Sequence, residues 1–128
     1  MKQILLIFAF LLTATVVNAK VIYYQVTEVN LRPDKHWQGW KKNDITIGLD
    51  NVDEILVLYT EEQQRYKLTY SEKTTDNVNK VVSYVYSAKD QEGYTACIIF
   101  SLSSDGQCYI TIGYPDYTVM YHVYQKRK

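Results

Sequence analysis

His36-Trp37-Gln38-Gly39-Trp40 brings together residue types suited to recognition. Two Trp three residues apart, beside a His and a Gly, supply large apolar area at little rotamer cost. That suits stacking on a sugar ring or gripping a partner protein. A plainer expectation competes with it: the connection crosses one end of the fold, and one or both indoles plug that end. His36, Trp37 and Trp40 are the candidate ligand- or partner-binding residues.

Other chemistries find less support. The chain has two His, His36 and His122, and two Cys, Cys97 and Cys108. A nucleophilic Cys needs a partner base, and those two His are the only candidates, so catalytic use of either Cys is not expected. No HxxxH or CxxC spacing suggests zinc. Acidic residues gather at Asp50, Asp53, Glu54, Glu61 and Glu62, and again at Asp90 and Glu92. Asp50-Asn51-Val52-Asp53 is too short for a calcium loop and lacks its pattern. Glycoside cleavage needs paired carboxylates in a cleft, which so small a domain rarely offers. There is no Gly-rich phosphate loop and no G-x-S-x-G. The expectation is a non-enzyme with no catalytic residue, metal or cofactor.

The elements that must position these residues read as strands. Short runs of β-branched and aromatic residues are separated by turn residues. The first spans Val21 to Val29, and Asn30 to Asn43 is a long connection holding Pro33, Gly39 and both Trp. Any short helix would fall at Arg32–Lys42. Ile45, Ile47 and Leu49 alternate with polar or small residues, as a half-buried strand requires. Ile55, Val57 and Tyr59 follow a turn at Asp50–Asp53, and Tyr66, Leu68 and Tyr70 follow another at Glu61–Gln63. Ser71 to Asn79 reads as a polar loop. Later strands fall near Lys80–Ala88, Tyr94–Leu102, Gln107–Tyr114 and Tyr117–Tyr124, with Pro115-Asp116 as a type I turn. About eight strands joined by short turns pair antiparallel and close into a small all-β, up-and-down barrel. A two-sheet sandwich is the alternative. The abundance of inward Tyr, Leu and Ile predicts a mostly filled interior.

Hairpin register separates the cysteines. Ala96, Ile98, Phe100 and Leu102 share a face with Cys108, Ile110 and Ile112 only if the loop has an odd residue count. Ser104-Asp105-Gly106 is such a loop, ending on a left-handed Gly. Cys97 and Cys108 then lie on opposite faces, outside the roughly 5.5 Å Cα separation a disulfide needs. Both are expected unpaired, with Cys108 in the core.

Compartment follows from the start of the chain. Met1-Lys2-Gln3, an apolar run from Ile4 to Leu12, and Val17-Asn18-Ala19 form a secretory signal pattern, with cleavage expected after Ala19. That gives residues 1–19 as signal peptide and 20–128 as a single all-β domain. The run is too short for a membrane span. The 14 Lys+Arg balance the 14 Asp+Glu, so nucleic-acid binding is not expected. Of the 13 Tyr, adjacent Tyr23 and Tyr24 must point to opposite faces, so some are exposed. The chain generically resembles secreted small-barrel binders and inhibitors. Its expected function is a secreted or periplasmic binding module for a protein or glycan, with inhibition of a secreted enzyme as a variant. A small lipocalin-like carrier of an apolar ligand is the alternative, and a small hydrolase a third.

Overall fold

The computed structural model describes residues 21–33 and 36–126, with the side chains of 70 and 71 left aside. The signal-peptide reading of residues 1–19 lies outside the described residues. Nine strands run in chain order: β1 (Val21–Arg32), β2 (Trp40–Lys42), β3 (Thr46–Asp50), β4 (Ile55–Tyr59), β5 (Gln64–Asp76), β6 (Val81–Asp90), β7 (Thr95–Ser103), β8 (Cys108–Tyr114) and β9 (Tyr117–Gln125). Among the described residues no helix is long and apolar enough to cross a membrane.

Sequential strands from β3 to β9 pair antiparallel, and β1 pairs with both β3 and β9. Eight strands thus close a barrel, and β2 hangs on β1 as an addition to it. The sequence expectation of an up-and-down barrel matches this architecture. Closure satisfies the backbone groups that an open sheet would leave at its edges. Inside, Tyr24, Tyr84, Tyr86, Phe100, Ile47, Leu56 and Ile98 are fully buried. Tyr86 and Phe100 meet edge to face, with centroids 5.3 Å apart, the geometry their quadrupoles favour. Each such side chain contributes roughly 1.5–3 kcal/mol by leaving water. Large aromatic and aliphatic side chains crowd the interior.

Local rules set the face each residue takes. Tyr23 is exposed and Tyr24 buried on consecutive positions of β1, the period-2 consequence of the pleat. The β7–β8 loop is Ser104-Asp105-Gly106: Ser103 N–H donates to Gln107 O at 2.9 Å, and Gly106 sits at φ +92°. Its register sets Leu102 opposite Cys108 and Cys97 opposite Gly113. Cys97 is therefore outside, Cys108 inside, and both are free.

Two segments differ from expectation. Residues 71–76 continue β5 and pair with Val81 to Tyr86 on β6. From Glu72 through Lys80 every residue is exposed, so this hairpin tip extends past the barrel. With neither face buried there, no apolar alternation marks it as strand. The second difference concerns the long connection. β1 runs on to Arg32, and a register shift between Val26 and Glu28 marks an extra residue at Thr27. The chain then doubles back, pairing Trp40 with Asn30 and Lys42 with Glu28.

Candidate functional site

That return path decides where the two Trp go. Gln38 and Gly39 are both tied to β1. Gln38 N–H donates to Leu31 O at 2.9 Å, and Gly39 N–H donates to Asn30 Oδ1 at 2.9 Å. Gly39, at φ +100°, makes the turn into β2, a conformation that L side chains avoid. Asn30 is buried beneath it. The plug expectation is thereby corrected: Trp37 and Trp40 are 40% and 41% exposed on the outside. The barrel end that the connection was expected to cross holds tyrosines instead. There the Tyr114 hydroxyl donates to Asp90 Oδ2 at 2.9 Å and lies 3.2 Å from the Tyr66 hydroxyl.

Trp40 is braced by residues from two other strands. Its ring centroid lies 5.9 Å from that of Tyr109 and 6.3 Å from that of His122. Tyr109 and His122, directly opposite on β8 and β9, stack at 4.9 Å with their planes 24° apart. His122 Nε2 is in hydrogen-bond contact with Gln107 Oε1. On its other side Nδ1 lies 3.5 Å from Thr27 Oγ1 and 3.7 Å from Glu28 Oε1. Trp37 is held separately: the Arg32 guanidinium sits over its ring, 4.9 Å from the centroid. Arg32 also reaches Thr118 Oγ1 at 3.5 Å. His36 is exposed on the same connection.

The result is an outer-face patch on β1, β2, β8 and β9, with Trp37 and Arg32 at one end and Trp40, Tyr109 and His122 at the other. Planar polar groups, Gln107, Glu28 and His122, border the rings. Such a surface can stack on a ring or a flat apolar group while hydrogen-bonding its edges. The His122 imidazole and the Glu28 carboxylate lie 3.7 Å apart, beyond hydrogen-bond distance.

Other candidate chemistry resolves into structure. Asp50 Oδ1 accepts the N–H groups of Val52 and Asp53, each at 3.0 Å, so it shapes the β3–β4 turn. Asp90 Oδ1 does the same for Glu92 and Tyr94 at 3.0 and 2.9 Å. Burial works to raise the Asp90 pKa, but the Tyr114 hydroxyl and the backbone donors outweigh it and hold the carboxyl below its usual range. Among the described residues no group of three or more His, Cys, Asp or Glu is placed to hold a metal ion. Beside Cys97 a shallow groove of about 480 Å³ is lined by residues such as Val85, Thr95, Gly113 and Pro115, none of them charged.

Sequence reasoning singled out Trp40 but not its neighbours Tyr109, His122 and Glu28. A signal for one pair was present: a two-residue turn at Pro115-Asp116 places Tyr109 opposite His122 by counting. The rest of the patch depends on closure between β1 and β9. No protein family, no curated protein and no solved structure matches this chain.

Proposed function

We propose that this protein is a secreted or periplasmic, non-enzymatic binding module that engages a protein or glycan through the Trp37–Trp40 face. The observation that carries this reading is the pair of indoles, each about two-fifths exposed yet braced by Arg32 in one case and by Tyr109 and His122 in the other. Exposed large aromatics already held in place lose little entropy on binding, which makes them efficient anchors. The large side chains buried inside the barrel favour a site on its outside over an enclosed ligand. Blocking a secreted enzyme is one form this activity takes.

The test is a pull-down from secreted and periplasmic extract together with a glycan array, comparing the protein with a Trp37→Ala/Trp40→Ala variant. A partner retained by the first and lost from a still-folded variant supports the proposal. Equal retention by both moves the site elsewhere, and no partner on either platform overturns it.

A further inference from the structure

Resting on that binding reading, we infer that the ligand is a carboxylate-bearing polysaccharide. Charge, the Arg32–Trp37 stack and the seating of Trp40 carry the inference together.

Charge is uneven around the patch. From Arg32 to Lys42 the sequence carries four cations, Arg32, Lys35, Lys41 and Lys42, against one carboxylate, Asp34, in a chain with 14 of each sign. Lys42 and Trp40 lie two apart on β2 and so share a face. Glu28 is the carboxylate the patch presents, opposite Lys42 in register and 3.7 Å from His122. Arg32 and Lys42 share the Trp40 face while Lys41 points to the other, so two cations against Glu28 leave the patch with a single net positive charge.

The Arg32–Trp37 stack adds geometry to that charge. A guanidinium lying over an indole can turn its remaining N–H donors to a carboxylate, one Nη of Arg32 already reaching Thr118 Oγ1. An adjoining Trp face then suits the apolar side of a pyranose ring. Trp40, two residues from Lys42, repeats this pairing of ring and cation further along. A chain alternating sugar faces with carboxylates matches both.

The seating of the indoles argues against a lipid surface. Trp40 leans on Tyr109 and His122 instead of projecting, so it offers part of a face rather than a wedge for an acyl layer. Attraction that depends on cations at the surface must also weaken with salt.

Nuclear magnetic resonance tests this cleanly, because two Trp give two indole N–H signals. The probes are trigalacturonate, a hyaluronan hexasaccharide, neutral cellohexaose, a ten-residue oligothymidine, and vesicles of phosphatidylcholine with phosphatidylglycerol. Both uronate probes are expected to shift the two signals. Affinity should fall roughly tenfold as NaCl rises from about 50 to about 500 mM, and similarly in Arg32→Gln. Cellohexaose binding as tightly as the uronates would overturn the charge argument. Oligothymidine or vesicles shifting the indoles as strongly would overturn the saccharide assignment. If no probe binds while a protein partner is still lost from the double Trp variant, this inference fails and the binding-module reading survives. If that partner is also missing, both fail.

Discussion

Asn30 and Gly39 are joined by a hydrogen bond of 2.9 Å from the Gly39 N–H to the buried Asn30 side-chain oxygen. It ties the Trp-bearing connection to the outside of the barrel nine residues away. Asn30→Ala removes the acceptor of a bond to the exposed Gly39, so it should cost about 0.5–1.5 kcal/mol. Hydrogen exchange should quicken at Gly39 and Trp40 while the β6–β7 amides stay protected. Unchanged exchange at Gly39 would show that the bond does not hold the connection.

Gly48 faces outward beneath two rings. A Cβ there would lie 3.2 Å from Tyr59 Cε2 and 3.3 Å from Tyr23 Cε1, and the rings themselves sit 6.3 Å apart. Gly48→Ala is expected to destabilise by about 1–2 kcal/mol through overpacking. In a Tyr59→Ala background the same change should cost less, or stabilise, because one obstructing ring is gone. Equal effects in both backgrounds would dismiss the steric account.

Tyr24 is fully buried, and its hydroxyl has no hydrogen-bond partner among the described residues. A buried hydroxyl without a partner is a cost rather than a support. Tyr24→Phe should therefore be neutral or stabilising by up to about 1 kcal/mol in urea unfolding. A clear loss of stability would mean that the hydroxyl is satisfied in solution.

The two thiols should separate chemically. A disulfide reagent such as dithionitrobenzoate should titrate one thiol in the native protein and two after unfolding, with Cys97 the first and Cys108 the second. Partial burial, then the charge of Glu72, raises the Cys97 pKa, so Cys97 should react more slowly near neutral pH than an unhindered thiol. Glu72→Gln should quicken it. Fast labelling of Cys108 without denaturant would contradict its place in the core.

Alkaline pH should unfold the protein. Burial pushes the Cys108 thiol up to about 12, and it also raises Tyr24, Tyr86 and Tyr121 above their ordinary range. In the unfolded chain these groups ionise near about 8.5 for Cys and about 10 for Tyr. Above those values the native state holds protons that the unfolded state has lost, so stability falls as pH rises. It should be level to about pH 8 and decline through about pH 12. Urea midpoints that do not fall from neutral to strongly alkaline solution would count against this.

The fold was legible because each barrel strand carries its own alternation and each short turn its own chemistry. Ser104-Asp105-Gly106 and Pro115-Asp116 each specify a register by local counting, and both registers are observed. The candidate site was half legible. Trp37 and Trp40 stand out by type, and the Tyr109–His122 pair follows from the turn that precedes β9. Their meeting depends on the extra residue at Thr27 and on pairing between the first and last strands, which no local pattern encodes. The tip of the β5–β6 hairpin hid for a related reason. A strand without a buried face has no periodicity to read.

Closing the barrel through β1 and β9 gives this molecule a seam. Apart from β1–β3, which skips β2, every other joint in the ring is made between consecutive strands, whereas the seam brings together groups such as Thr27 and His122, 95 residues apart. Contacts of that separation are reached slowly and only after the local ones. The aromatic patch straddles this joint, with Glu28 on one lip, His122 on the other, and Trp40 leaning across. A ligand seated there would act as a clasp, slowing the opening of the barrel and marking which molecules have finished assembling.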